Sequence, residues 1–170
     1  MRLPELARSL NIIAEGGPDA FYRGPLAQKI AGYVQEKGGW LNVQDFANHT
    51  STWDEPINTT YRGITCWECP PNGQGLNTLM ALNIVEGLDL SSMGFQSVAG
   101  SHHLIEAMRL AFADGLHYIA DPRHSSIPLK QLLSKDYARD RRSLISPDRA
   151  MKSVAYNPNL KDSDTVYVTC

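Results

Sequence analysis

A threonine, Thr165, directly follows an acidic residue, Asp164, near the end of the sequence, in the stretch KDSDTVYVTC at 161–170. A threonine hydroxyl is a poor nucleophile near neutral pH unless a base lies beside it. Cleavage of the peptide bond before Thr165 would supply that base, because the freed α-amine can accept the hydroxyl proton. On local chemistry alone, however, a threonine that opens a β-branched run is typical of an ordinary strand.

A second group of candidate residues, His102, His103 and Glu106, stands at helical spacing in SHHLIEAMRLAFADGLHYIADP. Residues three and four apart share a helix face. A zinc-binding helix needs two histidines on that face and a third ligand elsewhere, and the sequence offers no clear third ligand. We therefore expect hydrogen bonding at the helix surface and no metal ion or cofactor.

The loop PPNGQG at 70–75 follows a predicted strand and opens a predicted helix, where backbone amides can hold an anion. It lacks the lysine of a P-loop and the glycines of a dinucleotide fingerprint. We interpret it as a turn.

The elements that must position these residues are mostly helices. Apolar residues at helical spacing predict one helix from Pro4 to the Gly16-Gly17 pair and a second over 24–37. Asn42 can cap a short helix over 43–47. Further helices are predicted over 76–88, over 104–119, which we expect to be largely buried, and from a Ser134 cap to about Ile145.

Strands are predicted in two places. The residues between 51 and 70 are rich in Thr, Trp, Tyr and Ile without a helical period, which favours two or three strands. The last six residues, TVYVTC, read as the beginning of another strand. A sheet edge that stops there needs more chain or a partner to cover it, so we expect the sequence to be a segment of a longer protein.

Composition is that of an ordinary globular protein, with 170 residues, 42% apolar, 20% charged and a net charge of -2. This length predicts a single domain over 1–170. The charge balance argues against a nucleic-acid partner, and Arg139, Arg141 and Arg142 alternate with acids as on a solvated helix face. No apolar run in the sequence is long enough to span a bilayer, and the first residues lack the apolar core of a signal peptide.

Seven stretches, in order, resemble the γ-glutamyltranspeptidase family of N-terminal-nucleophile hydrolases, and together they extend over nearly the whole chain. They are GGPDAFYRGPLAQKIA at 16–31, GGWLNVQDFA at 38–47, YRGITCWECPPNGQGLNTLMALNIVEGLDL at 61–90, HHLIEAMRLAFAD at 102–114, DPR at 121–123, LLSKDYARDRR at 132–142 and DTVYVT at 164–169.

The resemblance implies an α+β fold, a partial αββα N-terminal-nucleophile architecture that is mostly helical with a few sheet strands. Members are proenzymes that cleave themselves into a large and a small subunit. Matching DTVYVT to the family's junction implies that 1–164 is the late part of the large subunit and 165–170 the start of the small one. Thr165 would then be the catalytic nucleophile after autocleavage of the Asp164–Thr165 bond.

The implied activity is γ-glutamyl transfer or glutathione hydrolysis by the full-length protein, with a glutathione-like γ-glutamyl substrate and the small subunit of the same precursor as partners. Val166 and Tyr167 stand where many members have threonine and histidine. Together with PPNGQG in place of a serine-containing form, this resembles the bacterial γ-glutamyltranspeptidase-like or acylase-like branch. Alternatives are a related amide acylase of the glutaryl or cephalosporin type, and a non-catalytic homologue that acts as a binding module.

Two further expectations concern the chain by itself and its compartment. Six residues of small subunit cannot build an oxyanion site or complete a sheet, so we expect these 170 residues alone to stay uncleaved and inactive. The family suggests a periplasmic or extracellular protein, whereas the lack of a signal peptide in the sequence leaves a cytoplasmic one open.

Overall fold

The computed structural model describes residues 2–160, which divide into two compact units with their boundary between Trp53 and Asp54. That residues 1–170 belong to a single domain stays a prediction. The fold is mostly helical with a small antiparallel sheet, as the predicted α+β class requires. Within 2–160, no helix has the length and apolar character needed to cross a membrane.

The first unit contains three helices, α1 (Pro4–Tyr22), α2 (Pro25–Glu36) and α3 (Val43–Ala47). The helix predicted to stop at Gly16-Gly17 instead kinks there, because Gly17 adopts φ 64° and ψ -159° and Pro18 begins a new helical turn. The predicted Asn42 cap is confirmed, and Asp45 completes a capping box with it. Leu26, Ala27 and Ala31 of α2 are buried.

The second unit begins with a hairpin of β1 (Ile57–Tyr61) and β2 (Ile64–Glu68), which confirms strands in this region. Tyr61 pairs with Ile64 across a two-residue turn. Arg62 and Gly63 both have positive φ, at 50° and 82°, as a tight hairpin turn whose twist matches its strands requires.

Helix α4 (Gly75–Glu86) forms the centre of this unit and packs against the hairpin, α5 (Val98–Tyr118) and α7 (Lys135–Arg142). Eight of its residues are buried, so α4 lacks the polar face of a surface helix. At Gly115 of α5 a side-chain Cβ would overlap the amide of Asn77, which shows how closely α4 and α5 approach. A one-turn helix, α6 (Leu129–Leu132), precedes α7, and it was not predicted.

Helix α5 departs from its prediction in both its start and its burial. It begins at Val98 because the Ser97 hydroxyl accepts a hydrogen bond from the Gly100 amide. The apolar residues predicted to be buried are largely on the exposed side, since Leu104, Met108 and Phe112 keep 39 to 45% of their surface. The opposite face is buried and carries, besides Ala107 and Leu110, the carboxylates of Glu106 and Asp114.

The predicted Ser134 cap of α7 is confirmed, with the Ser134 hydroxyl accepting from the Tyr137 amide at 3.1 Å. The helix ends at Arg142 rather than near Ile145. Arg139 lies on a solvated face as predicted, but Arg141 does not, because only 4% of its surface is exposed. This burial is explained by what the Arg141 side chain contacts.

Candidate functional site

The predicted nucleophile Thr165 and its neighbour Asp164 lie outside the described residues. The description ends at Leu160, four residues before Asp164. The residues that lead to this pair, 151–157, lie in neither a helix nor a strand. Side chains of α5 and α7 hold the backbone of this segment, which we call the approach segment.

Glu106 holds the beginning of the approach segment. Its carboxylate accepts a hydrogen bond from the Met151 amide at 2.9 Å, and Arg109 pairs with its other oxygen. Arg109 also donates to the Met151 carbonyl oxygen at 2.8 Å, so both the N–H and the C=O of Met151 are hydrogen-bonded. Burial alone would raise the pKa of the Glu106 carboxyl, but the hydrogen bonds from Met151 and Arg109 outweigh it and lower the pKa.

Asp114 holds the end of the approach segment. Its Oδ1 accepts from the Asn157 amide at 3.0 Å, while the Tyr118 hydroxyl donates to the Asn157 carbonyl oxygen. Arg141 donates to the Ala155 carbonyl oxygen at 2.8 Å. Its Nε also lies 2.9 Å from Asp114 Oδ2, an ion pair that lacks the alignment of a hydrogen bond.

The Asp114 end is electrostatically unlike the Glu106 end. Burial raises the pKa of Asp114, although the charge of Arg141 and the Asn157 amide act in the opposite direction. Burial, followed by the negative charge of Asp114, also raises the pKa of the Tyr137 and Tyr118 hydroxyls. Both tyrosines are therefore neutral near pH 7, and Tyr118 remains a hydrogen-bond donor.

An aromatic contact also holds the approach segment against α5. The rings of His117 and Tyr156 are stacked, with centroids 3.6 Å apart and planes 8° apart. His117 belongs to α5, so this contact lies beside those of Asp114 and Tyr118.

We call Glu106, Arg109, Asp114, Tyr118 and Arg141 together the clamp. Its polar contacts to the approach segment are to backbone N–H and C=O groups. It therefore fixes the path of the chain largely irrespective of the side chains there. What this arrangement can do chemically is to position the residues that follow.

The other candidates from the sequence have structural contacts. His103 Nδ1 lies 2.8 Å from the Ala99 carbonyl oxygen, one turn earlier in α5, as expected for helix hydrogen bonding. His102 Nε2 lies 2.7 Å from the carbonyl oxygen of Ser146, which is outside the helix. The loop 70–75 is a turn that leads into α4. Among residues 2–160, no group of three or more His, Cys, Asp or Glu could hold a metal ion.

Sequence reasoning missed four of the five clamp residues, and it gave Glu106 only a helix-surface role. The four are Arg109, Asp114, Tyr118 and Arg141. One signal could have pointed to them. In IEAMRLAFADGLHY two carboxylates interrupt an otherwise apolar helix face, and a carboxylate in such a place needs a buried partner.

Comparison with known proteins agrees with the fold and with the predicted family. The family model for γ-glutamyltranspeptidase matches residues 1–170. The chain is 42% identical over 135 residues to the glutathione hydrolase-like YwrD proenzyme of Bacillus subtilis, an alignment that covers 79% of this chain and 26% of that protein. It is 38% identical over 166 residues to the acylase ACY 1 proenzyme of Pseudomonas sp. strain SE83, covering 97% of this chain and 30% of that one.

A solved structure gives the same result. The γ-glutamyltranspeptidase of Helicobacter pylori matches with a TM-score of 0.71 and 31% identity over 93% of this chain and 46% of that chain. The chain spans less than a third of the length of the YwrD and ACY 1 proenzymes. Because the family model covers every residue, the chain belongs to the γ-glutamyltranspeptidase family.

Proposed function

We propose that the full-length protein is a self-processing γ-glutamyltransferase or glutathione hydrolase whose nucleophile is Thr165. One observation carries the proposal: the match to the family model runs through Asp164 and Thr165, the pair that the resemblance of DTVYVT assigns to the autocleavage junction. Supporting it, relatives named as glutathione hydrolase proenzymes match the chain, among them that of Escherichia coli at 35% identity.

In the maturation step we propose, Thr165 Oγ attacks the carbonyl carbon of Asp164. The C–N bond breaks, the Thr165 nitrogen takes a proton to become a free amine, and an ester joins the two residues. Water then hydrolyses the ester, which leaves a carboxylate on Asp164 and restores the hydroxyl of Thr165. The products are a chain that ends at Asp164 and one that begins at Thr165.

In the catalytic step, the α-amine of Thr165 accepts the proton of its own hydroxyl, and Oγ attacks the γ-carbonyl of the substrate. The amine product leaves with a proton, and a γ-glutamyl ester remains on Thr165. Water or an acceptor amine attacks this ester, which gives hydrolysis or transfer. The step also needs donors to the developing oxyanion, and we assign no described residue to that role.

The test is to change Thr165 in the complete gene product. Thr165→Ala should abolish both subunit cleavage and release of p-nitroaniline from γ-glutamyl-p-nitroanilide, while Thr169→Ala, a matched change four residues later, should leave both intact. Denaturing electrophoresis and N-terminal sequencing give the cleavage site. An enzyme that matures and turns over with alanine at 165 would refute the assignment.

The same experiment addresses a non-catalytic binding module. Such a homologue would stay in one piece and bind its ligand equally well with or without Thr165. A wild-type protein that never cleaves and shows no turnover, while folding normally, would favour this alternative.

A second activity, amide acylase, is favoured by the 38% identity to the acylase ACY 1 proenzyme over 97% of the chain. The two activities use the same nucleophile and differ in the acyl group that the enzyme accepts. The test is to measure kcat/KM of the mature enzyme for γ-glutamyl-p-nitroanilide and for a glutaryl amide of a β-lactam nucleus. We expect the γ-glutamyl compound to be preferred, and a preference for the glutaryl amide would establish the acylase instead.

We also propose that the 170-residue chain alone is uncleaved and inactive, since it spans only 26 to 30% of the two relatives first compared. Intact mass and γ-glutamyl-p-nitroanilide turnover measure this directly. Turnover by the isolated chain would refute this part of the proposal and leave the role of Thr165 standing.

A further inference from the structure

Three charged side chains of the clamp are buried, and they bind the backbone of a segment that is neither helix nor strand. Glu106, Asp114 and Arg141 expose 1%, 1% and 4% of their surface. Buried ion pairs are commonly no more stabilising than well-packed apolar residues of similar volume. We therefore look for a role of these charged residues that apolar residues could not have. Hydrogen bonding to backbone N–H and C=O groups is such a role.

The clamp binds five backbone groups of the approach segment. They are the N–H and C=O of Met151, the C=O of Ala155, and the N–H and C=O of Asn157. Asn157 is seven residues before Asp164. A chain of that length spans at most about 25 Å. Two further contacts support the clamp: the Tyr156 ring stacks on His117, and Leu160, four residues before Asp164, packs against the core cluster that includes Tyr118.

We propose that the clamp residues are positioning residues for self-cleavage: by fixing residues 151–157 they confine the Asp164–Thr165 bond to the region where the precursor cleaves. This inference rests on the proposed function of Thr165. Loss of clamp contacts lets residues 151–157 adopt other paths, so the scissile bond reaches the cleavage geometry less often and cleavage slows.

The proposal separates maturation from catalysis. Once the Asp164–Thr165 bond is cut, the approach segment belongs to the large subunit and Thr165 to the small one. The clamp then has no covalent connection to the nucleophile. A residue with only a general structural role would instead lower the cleavage rate and the activity of the mature enzyme together.

The test uses the full-length precursor with Arg109→Met and Tyr118→Phe combined. These changes remove the donors to the carbonyls of Met151 and Asn157, both of them half-buried groups that water can reach, and keep the buried Asp114–Arg141 pair. Arg109→Met also removes the ion pair with Glu106, which keeps its hydrogen bond from the Met151 amide. Cleavage after synthesis in a cell-free system is followed by denaturing electrophoresis. We expect the rate constant of cleavage to fall at least about twofold, because two of the five backbone contacts are lost, with kcat and KM for γ-glutamyl-p-nitroanilide, per cleaved molecule, unchanged.

Two controls make the result specific. Tyr156→Phe is the same chemical change within the approach segment, and it keeps the stack on His117, so cleavage should proceed at the wild-type rate. Arg109→Lys retains a cation and a donor, so in place of Arg109→Met it should restore part of the rate. If the double variant does not fold, the single changes are measured, and each should slow cleavage by a smaller factor than the two together.

Unchanged cleavage in the double variant would overturn the clamp inference, and so would a parallel loss of cleavage and of mature kcat/KM. Either outcome leaves Thr165 untouched as long as the wild-type small subunit begins there. A wild-type protein that is cut elsewhere, or never cut, would instead refute the proposed function itself.

Discussion

The two ends of the clamp place the same chemical group in different surroundings. Glu106 and Asp114 lie about two turns apart on α5, and both are buried. At the Glu106 end the partner, Arg109, keeps 35% of its side chain exposed, and hydrogen bonds lower the pKa of the carboxyl. At the Asp114 end the partner, Arg141, keeps 5%, and burial raises the pKa.

This difference teaches that burial alone does not decide what a charged contact contributes. A carboxylate whose partner reaches solvent gains more from its hydrogen bonds than it loses by desolvation. Where both partners are enclosed, the desolvation cost dominates, and removing one partner leaves an uncompensated charge. The Asp114 end should therefore be the more sensitive of the two to single substitutions.

The largest expected effect is that of Arg141→Met, measured by urea unfolding of the uncleaved Thr165→Ala precursor. This change strips Asp114 of its buried partner and should lower the free energy of unfolding by about 3–5 kcal/mol. Adding Asp114→Asn should recover most of the loss, because no unpaired charge then remains. A loss below about 1 kcal/mol for Arg141→Met alone would contradict the account of the Asp114 end.

A smaller effect is expected at the other end for Glu106→Gln, about 1.5–3 kcal/mol at neutral pH, because hydrogen bonds to a charged group are replaced by neutral ones. The pKa of Glu106 is lowered in the folded state, so the stability it provides is present above its unfolded pKa of about 4.3 and is lost as the pH falls through the folded pKa. The unfolding free energies of parent and variant should therefore converge on acidification. A gap that stays constant between about pH 7 and about pH 3 would rule out this electrostatic origin.

A third effect, about 1 kcal/mol, is expected for Tyr118→Phe, which removes one hydroxyl and its hydrogen bond to Asn157 and leaves the packing in place. The unfolding midpoint in urea gives this value. Protection of the Asn157 amide from hydrogen exchange should fall in the same variant, and full protection would show that Asp114 alone holds this residue.

The smallest effect is expected for Arg139→Met, within about 0.5 kcal/mol of the parent. Arg139 pairs with Asp136 at 2.8 Å on the same helix as Arg141, but 64% and 81% of these two side chains are exposed. Two arginines two positions apart should thus differ several-fold in their cost of removal. Equal costs would show that burial does not separate them.

The sequence predicted local features well wherever a residue acts on its immediate neighbours. The Asn42 and Ser134 caps, the hairpin region and α4 are of this kind, since capping and turn chemistry depend on the next few residues. The γ-glutamyltranspeptidase family was likewise predicted from motif order and is confirmed by the family match.

The clamp could not be predicted because its partners are far apart in sequence. Arg141 looked like one of three surface arginines, and only its contact with Asp114, 27 positions earlier, explains its burial. The apolar residues of α5 were assigned to the wrong side, since periodicity identifies a face without saying what covers it. Thr165 lies outside the described residues, so its role stays a prediction.

The tight crossing of α4 and α5 at Gly115 has a consequence for how the protein tolerates mutation. Even one methyl group there collides with the Asn77 amide, which is buried, so that side chain or α5 itself must shift. Gly115 follows Asp114 in the chain, so a shift of α5 would move the Asp114 carboxylate away from Arg141. A purely steric lesion at this crossing would thereby mimic the loss of a charge.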